Sequence, residues 1–139
     1  MTEQTPETQE TPAPRKKGRP VRVKNQLSVA LDLLFEARVQ AMAGRDYSIA
    51  LWYSEMGLNS TEVSRLRWVP DGTPATRQPA SVMLKLVWYL ADTVGVNIPP
   101  WDLFEMARTS WMELPTRGLR TIRMHLFPSA QAAQAEQQP

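Results

Sequence analysis

The sequence predicts an all-α fold: one small helical domain between two polar tails. Three observations carry that expectation. Apolar residues recur at helical spacing in successive segments from about residue 26 onward. Those segments are bounded by Asn, Gly and Pro at positions that start or stop helices. Hydrophobic residues make up 42% of 139 residues, enough to fill one core.

Taken in order, residues 1–14 carry almost nothing apolar and predict a disordered tail, continued to residue 24 by a basic arm. The folded part is expected over 25–127, and a second disordered tail over 128–139. Leu27, Leu31, Leu34 and Met42 form one stripe over 26–43, with Asn25 as N-cap and Gly44 as stop. A second helix fits 47–56, broken by Gly57, and a third fits 60–68 with Asn59 as N-cap. Three Pro and one Gly make 69–79 a loop. The fourth helix fits 80–94, with Val82, Met83, Leu86, Val87 and Leu90 inward and Gly95 as its end. The fifth fits 100–113, with Leu103, Phe104, Ala107 and Trp111 inward and Pro115 closing it. Residues 118–127 fit two patterns. Ile122, Met124 and Leu126 alternate as in a strand, while Leu119, Ile122 and Leu126 also suit a short helix. A lone strand needs a partner and would imply pairing with a second copy, so the helix is preferred.

Composition excludes several classes. There is no Cys, hence no disulfide scaffold and no thiolate metal site. His125 is the single histidine, so neither a two-His metal site nor a Cys–His pair exists. The six Gly are isolated and form no phosphate-cradling loop. Acids are scattered singly, without a catalytic pair. No catalytic activity, cofactor or metal is expected. No apolar run is long enough to span a membrane, and the N-terminus lacks a signal-peptide core, which predicts a cytoplasmic protein.

The net charge is only +2, but it is unevenly placed. Residues 15–24 hold Arg15, Lys16, Lys17, Arg19, Arg22 and Lys24 and no acid, while 25–127 balance ten bases with ten acids. Such a cluster attracts polyanions more strongly than the total charge implies.

The segment 48–68, SIALWYSEMGLNSTEVSRLRW, carries the functional expectation. Gly57 supplies the positive φ that a tight turn between two helices needs. Met56, Leu58, Val63 and Leu66 stand where they would lock those helices together. Ser60, Thr61, Glu62, Ser64, Arg65 and Arg67 give the second helix a polar outer face. A helix of that kind fits the DNA major groove. Ser60, Thr61, Glu62 and Arg65 are the candidates for base edges. Asn59, Ser64 and Arg67 are the candidates for phosphate or capping duty.

The run Gly57-Leu58-Asn59-Ser60-Thr61-Glu62-Val63-Ser64-Arg65-Leu66 resembles the turn and recognition helix of the phage-repressor-like (Xre/Cro/CI-type) family. Pro79-Ala80-Ser81, Val82-Met83-Leu84-Lys85-Leu86 and Leu90-Ala91-Asp92 are similar to that family's fourth helix. Gly95-Val96 and Asp102-Leu103-Phe104 look like its close. The phage CII-type activators share the same short signature. The resemblance covers roughly residues 46–106. It implies a five-helix helix-turn-helix domain that binds double-stranded DNA, usually as a homodimer on a short palindrome. Tyr53 departs from the Ala usual there, Ile49 from a polar residue, and the loop at 69–79 is longer than usual. That loop is either an added DNA contact through Arg77 or an insertion.

The arm Pro14-Arg15-Lys16-Lys17-Gly18-Arg19-Pro20 resembles an AT-hook, with Lys17 where Arg is usual. Gly18 would let the backbone sit deep in a narrow minor groove, where Arg reaches the negative floor of A·T tracts. Its ordinary alternative is a solvated basic linker. Arg117, Arg120 and Arg123 read as a solvated face. The five Trp read mainly as core, with Trp68 held open. The expected function is a sequence-specific DNA-binding regulator of a bacterium, phage or plasmid. The alternatives are a module that binds a host protein, with the polar third helix arguing against it, and a nucleoid-type packaging protein gripping through the arm.

Overall fold

The computed structural model of the protein describes residues 21–128. Asn25 and Gln26, at the start of the first helix, are polar and fully buried, and their environment explains how the helices are assembled. Six α-helices follow in order: α1 (Gln26–Ala41), α2 (Ile49–Met56), α3 (Ser60–Leu66), α4 (Ala80–Tyr89), α5 (Pro100–Arg108) and α6 (Arg117–Leu126). A 3-10 turn at Pro74–Thr76 lies in the loop before α4, and a π-helical segment at Leu90–Val94 prolongs α4. The all-α class is observed, with six α-helices among the described residues where five were implied. No helix of the described residues is long and apolar enough to cross a membrane.

Helix α1 begins where Asn25 Oδ1 accepts the Ser28 N–H at 2.8 Å, a side-chain N-cap. Leu27, Ala30, Leu31 and Leu34 are buried on one face. Met42, expected on that stripe, instead stands at the C-cap and is half-buried. In α4, Val82, Met83, Leu86 and Tyr89 point inward, followed by Leu90. Gly95, at φ +87°, ends the segment, its N–H and that of Val96 converging on the Leu90 carbonyl. The segment left open between strand and helix is α6, with Leu119 and Ile122 buried and Leu126 packed at the edge of the core. The strand reading, and the second copy it required, therefore fall away.

Helix α5 corrects the expectation of a longer element. It stops at Arg108, because residues 109–111 are taken up by the chain entering α1. The Gln26 N–H donates to Thr109 O at 2.9 Å and the Trp111 N–H to Lys24 O at 3.0 Å. Residues pulled into that extended pairing cannot complete another helical turn. Trp111, assigned to the core, is consequently 54% exposed. Trp88 and Trp101, at 66% and 67%, are also on the surface. Only Trp52 of the five is fully buried, its Nε1 donating to Tyr89 Oη at 2.9 Å. The inward stripe of α4 passes through 82, 83, 86, 89 and 90, so position 88 faces away from it.

Two buried amides tie these helices together. Asn25 Nδ2 donates to Leu66 O at 2.9 Å and to Ala107 O at 2.8 Å, carbonyls in the last turns of α3 and α5. Such terminal carbonyls have no partner within their own helix. Gln26 Nε2 donates to the carbonyls of Ser110, Glu113 and Leu114, and its Oε1 accepts from Thr116 N–H and Oγ1 at 2.9 Å. Residues 110–116 are thus shaped around one side chain. Where α5 and α6 cross, Gly118 admits Met106 against its Cα; a Cβ there would overlap the Met106 side chain.

Asn25→Asp tests the first amide. The capping oxygen survives, but a carboxylate replaces the donor facing two buried carbonyls. The urea midpoint should fall by the equivalent of about 3 kcal/mol or more, at unchanged m. An unchanged midpoint would show that the two helix ends do not depend on this side chain.

Candidate functional site

The candidate site is the pair α2–α3 and the chain around its far end. Ser48 Oγ caps α2 by accepting the Leu51 N–H at 3.2 Å. Gly57 closes α2 at φ +75°. A Cβ added there would meet nothing closer than Lys85 Cδ at 3.9 Å, so backbone conformation and not space demands glycine. Leu58 then turns inward, and its N–H bonds Tyr53 O at 3.0 Å.

Asn59 caps α3 through a complete capping box. Its Oδ1 accepts the Glu62 N–H at 2.8 Å, and Glu62 Oε1 accepts the Asn59 N–H at 2.9 Å. Val63 and Leu66 are buried behind the helix. Ser60, Thr61 and Ser64 are exposed, and Arg65 is half-exposed. Among the described residues Arg65 has no ion-pair partner. These four side chains share the outer side of α3.

Two predicted site residues are placed differently. Glu62 uses one carboxylate oxygen to hold the cap. Arg67 is the C-cap residue and faces the protein, its Nη1 bonding Ser28 Oγ at 3.0 Å, Ser28 O at 3.3 Å and Asp32 Oδ1 at 2.9 Å. It braces α3 against α1 and is drawn off the outer face. Arg15, Lys16, Lys17, Gly18 and Arg19 lie outside the described residues.

A second brace sets α2. Glu55 receives Arg38 in a two-pronged bond, Nε to Oε1 at 3.0 Å and Nη2 to Oε2 at 2.9 Å. Tyr47 Oη donates to Oε1 at 2.7 Å. The Arg38 guanidinium holds the Glu55 carboxyl below the usual carboxylate range, and the Tyr47 hydroxyl adds to this. Burial, then the bond to Glu55, pushes the Tyr47 hydroxyl above its ordinary value. Phe35 packs on Tyr47 and on Trp52, with centroids 6.3 and 5.0 Å apart. Tyr53, one of the departures from the family pattern, lies half-buried beside Trp52. Ile49, the other, is exposed.

Just beyond α3, where Trp68 was held open, the chain makes a pairing that the sequence did not mark. Val69 N–H donates to Val23 O at 2.8 Å and Asn25 N–H to Arg67 O at 3.0 Å, which sets Lys24 opposite Trp68 in an antiparallel bridge. The Arg22 guanidinium carbon stands 4.4 Å from the centroid of the Trp68 ring. The 69–79 loop is ordered in its own right: Asp71 Oδ1 accepts from Thr73 N–H, Thr73 Oγ1 and Thr76 Oγ1. Gln78 Nε2 bonds Trp68 O at 2.8 Å, and Arg77 is exposed. No signal in the sequence marked residues 22–25 as partners of 67–69, beyond the position of Trp68 at the end of a helix.

No group of three or more His, Cys, Asp or Glu among the described residues gathers as a metal site. Comparison with protein families, curated proteins and solved structures finds no significant match to this chain.

The Glu55 brace has a defined pH signature. Its folded-state carboxyl titrates below the unfolded one, so its contribution is complete above about pH 4.3 and fades as pH falls through the folded value. The stability gap between wild type and Glu55→Gln should be widest near neutrality and should narrow progressively as pH falls below the unfolded carboxyl's value. Urea midpoints across a descending pH series measure it, and a constant gap would rule out the carboxylate charge as the source.

Proposed function

We propose that the protein is a sequence-specific, double-stranded-DNA-binding transcriptional regulator that lays α3 in the major groove. The observation that carries this reading is the outer side of α3. Ser60, Thr61, Ser64 and Arg65 are presented together on a capped helix that is locked from behind by Val63 and Leu66. Arg65 has the fork that matches guanine O6 and N7, while hydroxyls bond either base edges or phosphates. The likeness of residues 46–106 to phage-repressor-like helix-turn-helix proteins supports the same reading, and the basic arm supplies charge for the backbone.

Seven residues of α3 span about 10 Å, roughly three base-pair steps, too few for strong selection by one copy. The reading therefore includes a homodimer on two half-sites, one helical turn or a multiple apart. It places the protein in the cytoplasm, working without cofactor and without catalysis.

A second reading, a protein-interaction module that binds a host factor, draws on one observation. Residues 111–114 hold Trp111, Met112 and Leu114 on the surface at 54%, 73% and 88% exposure, anchored from beneath by Gln26. Exposed apolar side chains on a fixed segment are what a protein partner buries.

Selection from a random duplex library separates these readings. Wild type should enrich one palindromic motif. Arg65→Ala should lose selection at one position of each half-site by about 5- to 150-fold, the worth of a bidentate base contact, while retaining residual binding. Binding without enrichment would favour a packaging protein, and no binding at low salt would favour the interaction module. Deleting residues 1–20 removes four bases; the log–log salt slope should flatten by about 3 to 4 if all four touch phosphate. An unchanged slope would take the arm out of the interface.

A further inference from the structure

Three elements meet where α5 gives way to α6. The outer side of α5 brings Glu105 and Thr109, the connecting segment brings Met112 to Thr116, and the start of α6 brings Arg117 and Arg120. Between them lies a groove of about 860 Å³. It is broadly open to solvent, whereas a small-molecule site encloses about 70–90% of its guest. Its shape suits a protein surface, not a metabolite.

The groove has an apolar wall. Met112 and Leu114 stand 73% and 88% exposed, and Trp101, one helical turn before Glu105, is also on the surface. Single exposed apolar side chains need no explanation, but several gathered on one rigid face do. This face is rigid. Gln26 Nε2 holds the carbonyls of Glu113 and Leu114 from beneath at 3.2 and 2.9 Å, and the Glu113 N–H donates to Ser110 O at 3.1 Å. A segment whose backbone is fixed in advance loses little further freedom when a partner covers it.

The charges say which partner. Among the described residues Glu105 and Glu113 have no ion-pair partner. Arg120 Nη1 donates to Pro115 O at 2.9 Å, and Arg117 Nε stands 3.6 Å from the Asp102 carboxylate while its side chain is 69% exposed. Two acids and two arginines therefore border one groove, and their charges cancel. A polyanion would meet both carboxylates. A second copy would not, because this composition is complementary to itself. Turned about a two-fold axis, the copy sets its acids against these arginines and its arginines against these acids, with the apolar wall covered between them.

We infer that this groove is the face through which two copies of the chain form a two-fold dimer, with Met112 and Leu114 at its apolar centre and Glu105, Glu113, Arg117 and Arg120 fixing its register. The choice of a second copy also rests on the homodimer of the DNA-binding reading, and this face gives that dimer a surface. Most of the groove lies beyond residues 46–106, so the family likeness does not supply it.

Sedimentation of the full-length protein without DNA, over about 1 to 200 μM, tests it. Wild type should pass from monomer to dimer within that range. Leu114→Asp should weaken the dimer by roughly tenfold or more. Leu114 is exposed, so the variant keeps its fold, and urea midpoints check this. Charge reversal probes the register. Arg120→Glu alone, and Glu105→Arg with Glu113→Arg in one chain, should each weaken self-association by roughly tenfold or more, since like charges then face each other at both ends. An equimolar mixture of these two proteins should recover a dimer to within about threefold of wild type, because opposite charges face each other again. A wild type that stays monomeric, a dimer indifferent to Leu114→Asp, or a mixture no tighter than its components would overturn the inference. A monomer would also turn the groove over to the host-protein reading. DNA is absent from every arm, so a dimer that selects no duplex removes the DNA-binding reading and leaves this interface standing, whereas a monomer that selects a sequence motif does the reverse.

Discussion

Asn25 Nδ2 sits between two helix ends, and most of the architecture around α3 depends on the bonds it makes there. Helices α3 and α5 both bring last-turn carbonyls, of the buried residues Leu66 and Ala107, against this side chain. Asn25 gives one N–H to Leu66 O and the other to Ala107 O, while its own oxygen starts α1. A single amide thus satisfies groups on three helices that are 41 and 82 residues away or adjacent in sequence. Gln26 repeats the arrangement one residue on, gathering the carbonyls of Ser110, Glu113 and Leu114. An apolar residue at either position would leave buried carbonyls unpaired, a loss that packing area alone would not offset.

The same constraint explains why α3 exists. A seven-residue helix is far below the length that is stable in isolation. Here its start is closed by the Asn59–Glu62 capping box, its back by Val63 and Leu66, and its end by Asn25 and the Arg67–Asp32 bridge. Every one of these supports lies on the inner side or at the ends. The outer side is left to Ser60, Thr61, Ser64 and Arg65, which contribute nothing visible to holding the helix. Side chains without a structural duty are free to be selected for recognition, and this division of labour agrees with the proposed role.

Local signals made much of this legible. Asn25 and Asn59 as caps, and Gly57 and Gly95 as stops, act within four residues of themselves, and the structure has them in those roles. The stripe of α4 was readable for the same reason. What escaped depends on residues distant in sequence. The early end of α5, the exposure of Trp111 and the bridging of Lys24 all come from one extended pairing between residues 23–26 and two remote segments. Arg67 looked like part of the polar face because helical periodicity places it there; Ser28 and Asp32, some forty residues earlier, turn it inward. The three surface Trp were misplaced because indole size argues for burial, whereas the burial stripe passes one position beside Trp88. Outer-face residues of α3 were found correctly as a face, but periodicity cannot tell a side chain that faces solvent from one that braces a neighbour.

Short helix and basic arm have complementary weaknesses on the proposed reading. The arm has charge but little means of choosing a sequence, since phosphates are the same everywhere. The helix has the means of choosing but too small a surface to bind firmly. Joining them by a slack linker would add affinity at any register the arm can reach, including registers in which α3 faces the wrong bases. A rigid root changes that balance. Residues 22–25 are pinned against 67–69, so on the proposed reading the sequence-blind contacts start from a fixed point beside the sequence-reading ones. The stack of Arg22 on Trp68 holds that point, half-buried and outside the core, at the first turn after the helix.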